Sequence, residues 1–486
     1  MQRALVTAGV LLCAWIPAAV SEETPHAKLH KLNVVALDMH GQPVTGLSSA
    51  EFQLFEDGKR QDIAFCRFTG GWARQPRPSP GEYSNRTVPA WHATVVLIDL
   101  LSERIVNDSI IAQQVADSLQ NLESSEGLYV YLLTVRGELY PIHPLPKPDT
   151  EVTPAAEPWT RNIAPMLRTA LKDLVHLKPV DDRDIKVRFD LSMQALRQLR
   201  SQMAPASGRK NLVWVTRGIP IVGFSPSTQS DLDFTYPLRW FAEELKQGQI
   251  VMYTVDQSTA GAGTAVGTLD EFTSVTGGRG YSSGRAGDAI QQARTDSRAN
   301  YEIAYYTAPL NPDGKHHKIR VICGRKEVRL QTEHGFYALA PLVSPSGPAP
   351  SGFGSRELAV QAEGAAHSPF EATEIGLRAM VSSDPVHPQD RRFEVHIDAA
   401  DLLPGPARDR DGGKVWVAFV AYGEALKPLS HPALVTLTPE QFAAATHGEI
   451  GFSEAIPVAP AVRKVRVIAF DAELGAVGSV TIPIQR

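Results

Sequence analysis

The spacing of hydrophobic positions changes character along the chain, and each change marks a different kind of element. Over residues 31–68, "KLNVVALDMHGQPVTGLSSAEFQLFEDGKRQDIAFCRF", short apolar–polar alternations are separated by Gly41-Gln42-Pro43 and Asp57-Gly58. Alternation with period two marks strands with one wet face, and Asp-Gly is a strong hairpin signal. A small all-β domain is therefore predicted over 25–70. The next stretch, "GGWARQPRPSPGEYSNRTVPA", concentrates proline, glycine and polar residues and reads as a linker over 71–90.

From Trp91 the pattern changes. "ATVVLIDL" is a continuous apolar run, the mark of a strand buried on both faces, and helical spacing follows at Ile105, Ile110, Ile111, Val115 and Leu119. Similar runs recur as "LYVYLLTV", "NLVWVT", "QIVMYTVD" and "NYEIAYYT", with helical patterns between them. Strands alternating with helices predict an α/β domain over 91–340, with a doubly wound, mainly parallel sheet. "PLVSPSGPAPSGFGSRE" gives a second linker over 341–356. Beyond it, strand-like runs such as "RFEVHIDAADL" and "KVWVAFVAYG", without a long helical pattern, predict a β-sandwich over 357–486. The expected fold is thus a parallel α/β layer flanked by two small all-β domains.

Composition narrows the function. A net charge of −5 over 486 residues, without a basic stripe, argues against a nucleic-acid binder. Arg3, the apolar run from Ala4 to about Val20 and small residues at Ala18, Ala19 and Ser21 predict a signal peptide over 1–21. No later run reaches the roughly 18 apolar residues of a spanning helix, so a secreted or periplasmic protein without a transmembrane segment is expected. Cys66 and Cys323 remain after cleavage; in an oxidising compartment they either pair or stay as buried free thiols on strands.

In a doubly wound sheet, ligands bind beyond the carboxyl ends of the strands, where strand order reverses. The tips of "VVLID" and "NLVWVT", Asp99 and Thr216-Arg217-Gly218, should face each other there. This layout resembles a von Willebrand factor type A domain. More closely, residues 31–340 resemble the VWFA-related domain family first described in Acidobacteria. The resemblance rests on "DMHGQPVTGLSSAEFQLFEDGKRQDI", "SGRKNLVWVTRGIP", "SVTGGRGY" and "NYEIAYYTAPLNPDGKHHKIRVICGRKEVRLQTEHGFYA".

That resemblance implies a metal-ion-dependent adhesion site with Asp-x-Ser-x-Ser after the first strand and an aspartate after the fourth. The chain departs from it: Leu101 and Glu103 stand where the hydroxyls belong, and Arg217 stands in place of the aspartate. Leucine offers no donor to a magnesium ion, and a guanidinium carries a fixed charge that repels one. Three readings of the rim stand open. Arg217 substitutes for the metal by pairing with Asp99; or Asp99 caps the following helix; or an altered Mg²⁺ or Ca²⁺ site uses Asp99, Ser102, Glu103 and Asp256.

Other motifs carry less. "DRDGGK" at 409–414 lacks the glutamate of a calcium loop. His316-His317 precede a strand, where neighbours point to opposite faces and form a solvated edge. "GFSPS" at 223–227 breaks the nucleophile-elbow pattern. The expected function is a secreted, non-catalytic binding or scaffold protein without cofactor, engaging a protein or cell-surface partner. The alternatives are a divalent-metal-dependent adhesin and a hydrolase, the last requiring a serine and a histidine within hydrogen-bond reach in a cleft.

Overall fold

The computed structural model describes residues 28–339 and 363–484 apart from interruptions, among them 72–78, 87–91, 102–104, 151–157, 258–262, 403–413 and 441–447. The expected signal peptide and the 341–356 linker lie outside the described residues. The chain opens with β1 (Lys28–Leu37), β2 (Phe52–Glu56), β3 (Lys59–Gln61) and β4 (Ile63–Phe68). Asp57 and Gly58, at φ 48° and 79°, close the β2–β3 hairpin with the left-handed backbone that such a turn needs. A short strand, β5 (Glu82–Ser84), follows.

Alternating elements come next: β6 (Thr94–Asp99), α1 (Ile105–Gln120), β7 (Leu128–Leu133), β8 (Leu139–His143), α2 (Ile163–Leu174), α3 (Ile185–Met203) and β9 (Lys210–Thr216). A hairpin of β10 (Val222–Ser225) and β11 (Ser230–Asp233) leads into α4 (Thr235–Gln247), β12 (Ile250–Asp256), α5 (Gly263–Thr276), β13 (Gly280–Tyr281) and α6 (Ala286–Arg298). Six of these strands form one sheet in the order β13-β12-β9-β6-β7-β8, parallel except for β8. Its β6 and β9 strands are buried throughout, because apolar clusters built with α3, α4 and α5 on one face and α1, α2 and α6 on the other exclude water from both.

The chain then leaves this layer. β14 (Asn300–Thr307) pairs antiparallel with β1 and β4, while β15 (His316–Cys323) pairs with β2 and with β17 (Gly335–Tyr337), and β16 (Arg329–Gln331) pairs with β1. Two four-stranded sheets, β16-β1-β14-β4 and β17-β15-β2-β3, thus enclose a core of Leu32, Val34, Phe52, Leu54, Tyr301, Ile303 and Tyr305. The C-terminal part adds β18 (Leu377–Ser383), β19 (Asp390–Asp398), β20 (Lys414–Tyr422), β21 (Lys427–Pro428), β22 (Ala433–Thr436), β23 (Glu449–Pro457), β24 (Lys464–Asp471) and β25 (Ala476–Pro483). They make two further antiparallel sheets, and β5 joins the edge of one of them beside β18.

The expected fold class is therefore corrected. Strand accounts for 42% of the structure against 27% helix, and of the six sheets only one is mainly parallel. This is a mainly antiparallel β protein containing one helix-covered sheet, not a doubly wound α/β fold with small additions. The strand that misleads is β14. It was expected to close the parallel sheet because it is apolar and buried along nearly its whole length. One face, with Tyr301, Ile303 and Tyr305, fills the N-terminal sandwich; Ala304, on the other, lies with Phe65 in the C-terminal core. A strand covered on both sides reads the same in either kind of sheet.

Candidate functional site

The chain leaves β6 for β7 on one side and returns to β9 on the other, so strand order reverses between β6 and β9. Asp99 ends β6, Thr216 ends β9, and Asp256 ends β12 directly beside Thr216 in register. Three of the expected rim residues are thereby brought to one edge of the parallel sheet.

Asp99 is buried at 1% exposure. Its Oδ1 accepts the Leu101 N–H at 2.9 Å and its Oδ2 accepts the Thr216 hydroxyl at 2.5 Å. Thr216 Oγ1 in turn accepts the Gly218 N–H at 3.0 Å, and Gly218 takes φ 72°, a left-handed turn that favours glycine. These two donors, an amide and a hydroxyl, are neutral. Since Leu100 and Leu101 are not helical, the Leu101 contact is a local turn rather than an N-cap. Leu101 is buried in the apolar cluster on one sheet face, so the position that would hold a metal-ligating hydroxyl serves packing. Arg217 follows Thr216 and is half-buried, as is Asp256. Ser102 and Glu103 lie outside the described residues.

The basic residues of "SGRKNLVWVT" do not reach the rim. Arg209 is buried at the opposite end of β9, where it donates to Asn211 Oδ1 at 3.3 Å, Asn300 Oδ1 at 3.2 Å and the Tyr253 hydroxyl at 2.7 Å. Lys210 donates to the Ala206 carbonyl at 2.7 Å, and burial pushes its pKa down to about 8. In "SVTGGRGY", a Cβ on Gly278 would meet the Met252 carbonyl oxygen at 1.8 Å, so that glycine permits a close backbone approach to β12. These motifs serve the architecture.

Cys66 and Cys323 are both free and partly buried, and both pack against the N-terminal sandwich core. The sequence reading assigned them to different domains; they belong to one because β15 completes the sandwich begun by β2. Burial pushes the Cys66 thiol up to about 12, which makes it a poor nucleophile at neutral pH. A Ser–His pair occurs where Ser274 Oγ lies 3.4 Å from His334 Nδ1, but on exposed surface rather than in a cleft.

One constellation escaped the sequence reading. Arg67, on β4, donates to Glu302 Oε2 on β14 and to the Glu374 carbonyl of the C-terminal part. Lys31 Nζ lies 3.2 Å from Glu302 Oε1, and Gln249 Nε2 donates to the same oxygen at 3.2 Å. Arg86, in the expected linker, pairs with Asp401 and donates to the Thr373 carbonyl at 3.0 Å. Burial works against a charged Glu302, yet Lys31 and Arg67 outweigh it and hold the carboxyl below the usual range. The visible signal was a charge inside an apolar strand, Arg67 in "IAFCRF" and Glu302 in "NYEIAYYT". Such charges need partners.

No protein-family model matches the chain, and the search of curated proteins finds no match either. Among the described residues no helix is long and apolar enough to cross a membrane.

Proposed function

We propose that this is a secreted, non-catalytic binding or scaffold protein that engages a protein partner through the rim formed by Asp99, Thr216, Arg217 and Asp256. The observation that carries the reading is the convergence of three strand tips at the point where strand order reverses, the position at which open parallel sheets bind ligands. Arg217 adds a fixed positive charge to that edge. A cationic edge suits a partner surface that carries carboxylates.

The test is site-specific photo-cross-linking in the native host, with the reactive residue placed at Asp256. A partner captured from the rim, insensitive to chelator and lost in Arg217→Asp, supports the proposal. Capture that requires magnesium or calcium replaces it with the metal-dependent adhesin. Capture unaffected by Arg217→Asp removes the rim from the interaction.

A further inference from the structure

Outside the parallel sheet, the β2–β3 hairpin brings Glu56 and Asp57 beside His317, which lies 260 positions after Asp57. Glu56 ends β2, Asp57 opens the turn, and His317 lies on β15, the antiparallel neighbour of β2. Asp57 is fixed from both sides: its N–H donates to the Lys318 carbonyl at 2.9 Å, and its Oδ1 accepts the Lys318 N–H at 2.8 Å. This leaves Oδ2 2.8 Å from His317 Nδ1, while Glu56 Oε1 stands 3.9 Å from the same nitrogen. One ligand atom from each of the three residues lies within 4.8 Å of the others.

The independent observation is Glu56 itself. It is only 7% exposed, and its carboxylate lies beside the enclosed hydroxyl of Tyr305 without closing a hydrogen bond of normal geometry at Oε2. A buried carboxylate oxygen left without a well-formed hydrogen bond is unfavourable unless something positive meets it. The His317 ring stacks on Phe336, with centroids 5.1 Å apart and planes at 16°, so its orientation toward the carboxylates is held by packing. Asp57, at 46% side-chain exposure, leaves the cluster open to solvent on one side.

We propose that Glu56, Asp57 and His317 form a binding site for a first-row transition-metal dication of the zinc type. An imidazole nitrogen beside two carboxylates selects such ions over magnesium and calcium, which prefer all-oxygen shells. Three protein ligands with one open side leave a position for water or for a partner's donor group. The adjacent histidines do point to different neighbours, since His316 packs edge-on against Tyr337; the metal set is completed from the hairpin rather than from the second histidine.

The test is equilibrium dialysis of the full chain, stripped with chelator, against zinc chloride in one arm and magnesium or calcium chloride in the other. One zinc per chain at micromolar free metal is expected, with no comparable uptake of magnesium or calcium. Affinity should fall at least tenfold in Glu56→Gln and in His317→Ala, and stay within twofold in His316→Ala. Because His317→Ala also removes a packed ring, Glu56→Gln, which keeps shape and changes only charge, is the variant that decides if the former fails to fold. Stoichiometric zinc that survives Glu56→Gln overturns the assignment. So does the absence of zinc uptake, which leaves His317 and Asp57 as a simple hydrogen-bonded pair.

Discussion

Replacing Arg67 by methionine keeps an unbranched side chain in the buried junction and removes the guanidinium. Glu302 then loses its donor at Oε2 but keeps Lys31 and Gln249 at Oε1, and the Glu374 carbonyl loses a donor as well. Removing one partner of a buried pair costs about 3–5 kcal/mol, chiefly because the other charge stays buried without compensation. The surviving Lys31 contact places this case near the lower end, at about 3 kcal/mol. At about 2–4 °C per kcal/mol for a unit of this size, the melting temperature should fall by about 6–12 °C. The informative measurement is a double-mutant cycle by urea denaturation. Adding Glu302→Leu to Arg67→Met should recover part of the loss, with a coupling of about 1–3 kcal/mol, because the second change removes the charge that the first left exposed to the apolar interior. Arg67→Met within about 0.5 kcal/mol of wild type, or strictly additive single effects, would refute the argument that this cluster locks the junction.

Acid should destabilise the protein through His92, whose ring burial pushes down to about 4, with Arg209 and Arg298 adding repulsion. An unfolded ring titrates near 6.5, so stability is full above that value and falls by about 2–3 kcal/mol as pH drops toward 4; His92→Phe should flatten that slope in denaturant titrations at stepped pH. Thr216→Val removes the hydroxyl donated to Asp99 and should cost about 1–3 kcal/mol in chemical denaturation, whereas Thr216→Ser should cost less. Limited proteolysis should cut within 341–356 before 82–86, since Asn85 is fully buried and donates to the Ala372 and Ile375 carbonyls; early cleavage beside Asn85 would contradict that anchoring.

What the sequence revealed follows from which physical signals are local. The strands over 94–99, 210–216 and 250–256 announce themselves because burial on both faces requires an unbroken apolar run, and Asp57-Gly58 announces its hairpin because only certain residues accept left-handed backbone. The rim was legible for the same reason: once the strands are placed, their last residues are placed. Pairing partners are not local. Nothing in "NYEIAYYT" states that its neighbours are β1 and β4, which lie more than 200 residues earlier, and nothing in "GEYSNR" states that three of those residues form an edge strand of a sheet built mostly from residues beyond 376.

The same nonlocality explains the polar features that the sequence concealed. Arg67, Glu302 and Glu374 come from three separate stretches and Arg86 and Asp401 from two: Arg67 meets Glu302 where β4 pairs with β14, and the Glu374 carbonyl and Asp401 are supplied by the C-terminal part. An isolated charge in an apolar strand therefore signals a partner without naming it. At the junction the partner is a charge of opposite sign, supplied by another part of the chain. At Glu56, where a histidine nitrogen stands 3.9 Å from one oxygen and the other closes no hydrogen bond of normal geometry, the same reasoning calls for a cation from outside. These two buried carboxylates differ in what the fold brings to them, and that difference separates a structural lock from a candidate ligand site.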